Sequence, residues 1–373
     1  MPLPYETDVF VVGGGPAGLA AAIAARGKGL RVTVADWFHP PIEKPCGEGL
    51  MPDSLAALRQ LGITIGSEHS FPFSGIRFLT RATSVSATFP SGCGLGMRRP
   101  ALHQLLADRA AEVGVRFLWG TRVSRISHEG AVVNGELLRS RWIIGADGQN
   151  SQVRRWAALD AFHSFKRRFG FRRHYRVTPW SDCVEIYWGS GFQFYVTPVS
   201  PREICMVLIS RDRHSRIDRV LEGFPELRER LHGAVPASAE RGAVSLSCRL
   251  KRVVRERVAL IGDASGSVDA VTGEGMCLAF QQALKLADAL AAGDLRSYAA
   301  EHRRLMRRPY FMGDAMLLLD RFPGLQDRAM RALSSKPAIF AALLATHVGA
   351  RSPAAMVTSA LPLGWQMLIA GRT

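Results

Sequence analysis

The run from Asp8 to Asp36 constrains this chain more than any other. Asp8-Val9-Phe10-Val11-Val12 is short, apolar and β-branched, which predicts a buried parallel strand. Gly13-Gly14-Gly15-Pro16-Ala17-Gly18 follows at once. Leu19–Arg26 then reads as an Ala-rich helix, and Leu30–Ala35 as a second strand ending in Asp36. Strand, Gly-x-Gly-x-x-Gly, helix, strand and acid, in that order, predict a dinucleotide site. Gly13 allows the tight turn, Gly15 lets the backbone approach a pyrophosphate, and Gly18 lets the helix pack close to the strand. The helix start at Pro16 and Ala17 turns free N–H groups and the positive dipole end toward the phosphates. Asp36 stands where a carboxylate can accept from an adenosine ribose.

Two distant segments bear on which dinucleotide is bound. Trp142-Ile143-Ile144-Gly145-Ala146-Asp147-Gly148 is an apolar strand followed by a small-residue turn with an Asp. Val258-Ala259-Leu260-Ile261-Gly262-Asp263 repeats the pattern and continues to Thr272-Gly273-Glu274-Gly275-Met276. A helix is predicted from near Glu274 to about Leu290, its N-terminus able to face developing negative charge.

With these three motifs in order, the chain resembles the flavoproteins that share the para-hydroxybenzoate hydroxylase fold, near their geranylgeranyl reductase branch. The resemblance spans roughly residues 5–295. It implies an α/β fold: a Rossmann-type FAD-binding domain, an inserted antiparallel substrate sheet and a helical C-terminal tail. It implies FAD as cofactor, with Asp147 and Gly262 in the motifs and Asp263 on the ribityl chain. Gly273, Glu274, Gly275 and Met276 would lie beside the pyrimidine edge of the flavin. Arg99 matches the family's Arg-x-x-Leu pattern, with Arg98 the competing choice. Gly47 joins the cofactor set, and Val123 would offer backbone to adenine. Ala270 stands where the family usually has Pro.

The reaction is open between classes. The Trp-x-Trp-x-Ile-Pro stretch and associated Lys of flavin halogenases are not found. Lys44-Pro45-Cys46-Gly47-Glu48-Gly49-Leu50 resembles the reductase branch, but hydroxylases of phenolic lipids and polyketides look like it too. The leading expectation is an FAD-dependent monooxygenase using NAD(P)H and oxygen on an aromatic, phenolic-lipid or polyketide-like substrate. The alternative is a reductase that saturates prenyl double bonds. No second Gly-x-Gly-x-x-Gly appears, so NAD(P)H is expected as a transient reductant without a Rossmann domain of its own. Cys46 is the candidate catalytic residue, as proton donor or pocket wall, against a plain Pro-Cys-Gly turn. His174, Tyr187, Phe194 and Tyr195 are the candidate substrate-pocket residues, against simple core packing.

The 373 residues divide, on this reading, into a discontinuous FAD-binding domain (1–70, 91–160, 246–295), a substrate domain (71–90, 161–245) and a helical region (296–373). Strands are expected at Arg77–Thr80, Ser84–Phe89, Arg167–Val177, Cys183–Trp188, Phe192–Val199 and Glu203–Ser210. Ala338–Val348 and Ala354–Ala370 are apolar helical segments, suited to capping a substrate tunnel, core packing or peripheral membrane contact. The six cysteines form no CxxC pair, so neither a metal site nor a dithiol centre is expected. Lys+Arg number 48 against 32 Asp+Glu, a net charge of +16. No nucleic-acid-binding signature accompanies the basic runs, so no nucleic-acid partner is expected. The expected partner is a small apolar or aromatic molecule and the expected setting cytoplasmic, with peripheral membrane contact an open alternative. Oligomeric state is not legible.

Overall fold

The computed structural model describes residues 6–352 and positions 364, 366 and 367. The strand Thr7–Val12 lies between Val32–Asp36 and Glu136–Gly145, parallel to both. Arg116–Trp119 extends this sheet on one side and Val258–Leu260 on the other, again in parallel. Val9, Phe10 and Val11 are almost fully buried, as expected for a central strand covered on both faces. Four helices accompany this part of the chain: α1 (Pro16–Arg26), α2 (Pro52–Gln60), α3 (Arg99–Glu112) and the short α4 (Gln152–Trp156). The Ala-rich sequence of α1 lets it approach the sheet closely, and nine of its residues are buried.

The turn from the first strand into α1 depends on two glycines. Gly13 has φ +108°, a conformation that L side chains rarely adopt, and a Cβ there would meet Ala146 backbone. A Cβ at Gly18 would overlap the Gly13 carbonyl oxygen. The crossing of helix and strand is set by those absences.

A second sheet stands apart from the first. Phe162–Arg176, Glu203–Ser210, Phe192–Ser200 and Cys183–Gly189 are antiparallel neighbours. Gly75–Leu79 adds in parallel to Cys183–Gly189, and Ser84–Thr88 closes the edge. Arg241–Leu250 pairs along the other side of Phe162–Arg176. The long strand begins at Phe162, five residues before the alternation at Arg167 suggests. Phe71–Phe73 pairs instead with Gly94–Gly96 in a small three-stranded sheet. One face of the second sheet is covered by α5 (Ile217–Leu221) and α6 (Pro225–Arg230) around Phe224.

The chain returns to the first sheet as α7 (Gly275–Ala292), which packs on α1. Three helices then cross to the inner face of the second sheet: α8 (Leu295–Arg321), α9 (Pro323–Ser335) and α10 (Pro337–His347). On α10, Phe340 packs on Phe78 with ring centroids 4.8 Å apart. A buried polar network ties α8 to the sheet. Arg168 bonds Asp269 and Gln193, and Gln193 and Arg211 both bond Asp320. Such a network is stable only with its charges paired, and here it fixes where the helix ends. The expected helix at Ala338–Val348 corresponds to α10. The segment Ala354–Ala370 lies outside the described residues.

Candidate functional site

A single cavity of about 780 Å³ runs from the glycine turn before α1 to the space under α8, α9 and α10. Its first end is built from backbone. Gly15, Gly47, Gly273 and Gly275 border it, and a Cβ at any of the four would meet no atom within 4 Å. The N-termini of α1 and α7 converge there, and first-turn N–H groups have no intrahelical partner. Lys44 and Arg99 supply positive charge on the same wall. A cradle of open backbone, two helix N-termini and two cations fits the phosphates and ring edge of a dinucleotide.

The supporting contacts explain why the motifs carry the residues they do. Asp36 accepts from Gly14 N at 2.6 Å and from Phe38 N at 2.8 Å, so it holds the glycine turn onto the second strand. His103 on α3 donates from Nε2 to the Gly14 carbonyl at 2.8 Å, and burial lowers its pKa. Asp147 accepts from Ser151 Oγ at 2.5 Å and from the backbone of Gln152 and Val153. Its carboxylate is spent starting α4, while the adjoining Gly148 backbone borders the cavity. Gln282 accepts from Gly262 N at 2.8 Å and sets the second Asp turn. Asp263 points into the cleft, open to water yet surrounded by protein. That enclosure raises its pKa, and Lys44 and Arg99 oppose the rise.

Arg99 and Arg98 part company here. Arg99 borders the cavity, whereas Arg98 is paired with Glu203. Gly13, Gly18 and Asp36 shape the turn from behind rather than lining the cavity, and Val123 is a buried strand residue opposite Val133. Gly15, Pro16, Ala17, Gly47, Asp147, Gly262, Asp263, Gly273, Glu274, Gly275 and Met276 all border the space.

Cys46 also borders it, on a loop under local strain. Glu48 takes φ 59°, which a non-glycine residue enters at a cost of about 1 kcal/mol. The conformation is held from both sides. Glu48 accepts from Arg99 N at 3.0 Å and from His174 Nε2 at 2.7 Å. Arg172 donates to His174 Nδ1 at 2.9 Å and to Glu43 at 2.5 Å. The Cys46 thiol accepts from Glu48 N at 3.4 Å.

His174 therefore does not reach the pocket. It is fully buried and braces the Cys46–Gly49 loop through Glu48. Tyr187 and Phe194 do not line the cavity either. The register pairs Tyr187 with Phe194 and Ile186 with Tyr195. Successive side chains alternate between faces, so the first pair goes under α6 with Phe224 and the second faces the cavity. Tyr195 donates its hydroxyl to the Val271 carbonyl at 3.1 Å, and burial raises its pKa.

The far end of the cavity is a chamber with apolar walls. Ile76, Phe78, Val184, Ile186, Val207 and Phe340 are among its lining. Two polar features interrupt it. Asp269 accepts from Arg168 and from Val271 N through Oδ1, and its Oδ2 has no protein donor. Ala270 follows it in a single 3₁₀ turn, Ala270–Thr272, so the residue that replaces the family's Pro still sits in a tight turn. Beside the glycine loop, Glu274 accepts from Arg308 at 3.0 Å and faces His347 Nδ1 at 3.6 Å. His347 Nε2 donates to the Thr272 carbonyl at 3.0 Å. At 3.6 Å Glu274 Oε2 and His347 Nδ1 are too far apart for a hydrogen bond, and both atoms are buried without another protein partner. Burial raises the Glu274 pKa, while His347 and Arg308 pull it down. His347 and Arg308 belong to no motif and were not legible as site residues; only the folded tail brings them here.

The comparisons with known proteins agree with this geometry. The family model described as an FAD binding domain matches residues 6–303. The chain is 25% identical over 340 residues to menaquinone reductase of Mycolicibacterium smegmatis, covering 83% of this chain and 82% of that protein. It is 27% identical to 6-methylpretetramide 4-monooxygenase of Streptomyces rimosus, covering 82% and 81%. The fold matches a geranylgeranyl bacteriochlorophyll reductase-like protein of Thermoplasma acidophilum with TM-score 0.76 at 21% identity, over 95% of both chains.

Proposed function

The chain belongs to the FAD-binding domain family, and from that premise we propose that it is an FAD-dependent monooxygenase. It takes reducing equivalents from NAD(P)H and hydroxylates a phenolic lipid or polyketide-like aromatic substrate. FAD, when bound, supplies the redox chemistry, taking hydride from the nicotinamide and activating oxygen. Gly15, Gly47, Gly273 and Gly275 would hold it, with Lys44 and Arg99 as counter-charges and Asp263 toward the sugar-like chain.

One observation carries the reading. The cavity joins apolar walls to two buried carboxylate oxygens that lack a donor, Glu274 Oε2 beside the glycine loop and Asp269 Oδ2 in the chamber beyond the cradle, and the second carries the reading. A phenolic hydroxyl supplies that donor and an alkene does not. The apolar walls suit a ring with a long chain or fused rings, and they exclude water from the reacting end. The likeness to 6-methylpretetramide 4-monooxygenase supports an aromatic substrate.

Saturation of a prenyl chain is the second reading. The Cys46 thiol on the cavity wall favours it, since a reduced alkene carbon needs a proton. The likeness to menaquinone reductase supports it as well.

The two separate on oxygen. FAD-loaded protein is reduced with NADPH under argon and then offered a long-chain alkylresorcinol with labelled O₂, or a prenylated quinone without oxygen. The proposal expects one labelled oxygen atom on the ring. Oxygen-independent saturation of the prenyl chain, with no labelled product, overturns it.

A further inference from the structure

The exposed side of α8 and its C-terminal cap carry large apolar side chains beside arginines. At 3.6 residues per turn, Arg303, Arg304, Arg307, Phe311 and Leu318 fall within a roughly 100° arc of the helix, and Phe322 follows at its C-terminal cap in extended backbone. Phe311 is 56% exposed, Leu318 49% and Phe322 48%. Large apolar side chains so open to water, along one helix and its C-terminal cap, are unusual on a soluble surface and mark an interaction site. The three arginines are exposed at the N-terminal end of the arc, and Arg321 lies over the Phe322 ring at the other. The one acid in the arc, Asp314, is neutralised by Lys166 at 3.2 Å and by Arg249.

The arc adjoins the way into the cavity. Phe311 is exposed and also borders the cavity, as does Val244 on the facing strand. The neighbouring side of α8, with Met312, Ala315 and Met316, forms the chamber wall. Hydrophobic side chains flanked by exposed arginines, of which Arg304 lies 3.9 Å from Glu301, at the mouth of an apolar chamber, complement an anionic lipid surface. The chain's net charge of +16 has the sign that such a surface attracts. Among the described residues no helix is long and apolar enough to cross a membrane, so these residues make contact from the surface.

We infer that this face of α8 docks on anionic lipid bilayers and brings the cavity mouth to the membrane. Phe311, Leu318 and Phe322 enter the headgroup region while the arginines lie against lipid phosphates, as in interfacial helices. The inference draws on the apolar-substrate reading for its purpose only, because docking is measured without turnover.

The test is vesicle sedimentation of the full FAD-loaded chain. Vesicles are phosphatidylcholine alone, or phosphatidylcholine with phosphatidylglycerol. Binding is expected to the anionic vesicles and to be at least about tenfold weaker on neutral ones. Each basic residue near such a surface is worth about fivefold, so the triple variant Arg303→Gln/Arg304→Gln/Arg307→Gln should lose roughly a hundredfold. Leu318→Ser/Phe322→Ser should lose about tenfold or more while keeping its arginines and its thermal midpoint. A chain that does not bind anionic vesicles overturns the inference. So does binding that Leu318→Ser/Phe322→Ser leaves unchanged, or that duplex DNA matches, since either means a general polyanion effect. Wild-type turnover of a detergent-dispersed substrate, with no vesicle binding, leaves the enzymatic reading standing and removes this one alone.

Discussion

Asp269→Asn keeps the side-chain shape and leaves Oδ1 in place for Val271 N, but it replaces the free acceptor with a donor and removes the charge that pairs with buried Arg168, so the thermal midpoint falls as well. Turnover of a phenolic substrate should fall by about a hundredfold, the usual contribution of a positioned acid or base. FAD affinity should be unchanged, and an alkene substrate should be indifferent; steady-state kinetics on both classes checks this. His302 yields a prediction of a different kind. It is buried beside Ser265 at 2.9 Å, and burial lowers its pKa from 6.5 to about 4. The unfolded chain therefore binds more protons between those values, and stability falls as pH drops from 6.5 toward 4. The loss attributable to His302 is about 3 kcal/mol at one pKa unit per 1.4 kcal/mol. Urea unfolding of His302→Gln at pH 7 and pH 4 should show an acid limb shallower than wild type by that amount. Single residues were legible in the sequence where their role is backbone geometry: Gly15 and Gly273 sit where the spacing places them. His174 was not, because a buried histidine bracing a loop and one contacting a substrate have the same local sequence.

The first strand, glycine turn and α1 form the element most readable from the sequence, and they also separate two glycine roles. Gly15 has φ −71° and open space where a Cβ would point. Gly15→Ala should fold normally and fill the cradle, weakening FAD binding by more than about tenfold. Gly18→Ala should fail earlier, at the fold, because its Cβ overlaps Gly13. Thermal unfolding of both apo-proteins, with FAD titrations of each, distinguishes the two. The second sheet was legible as strands but not as faces. Alternation shows that Tyr187 and Tyr195 lie on opposite sides of their pairing, through Ile186 opposite Tyr195. It does not show which side is the pocket, because α5 and α6 make the outer face as apolar as the inner one.

At the scale of the whole molecule, the three layers meet at one place. The first sheet presents its glycine turn and the start of α7, the second sheet presents its inner face, and α8, α9 and α10 close the remaining side. The sequence shows the two ends of this assembly through motifs and hydrophobic strands. It does not show that the tail completes the site through Arg308 and His347, since neither lies in a recognisable pattern and both act only after long-range packing. The excess of positive charge also resolves at this scale: Lys44 and Arg99 face the cradle, several arginines are buried in ion pairs, and α8 carries an exposed set. The central claim is that the FAD cradle and the apolar chamber are one continuous space. The direct test is to titrate the FAD-loaded protein with a long-chain alkylresorcinol and follow the flavin visible band. Continuity predicts a saturable shift with a sharpened vibronic shoulder as water leaves the ring environment. A protein that binds FAD, and binds the resorcinol by calorimetry, yet shows no change in the flavin band would contradict it.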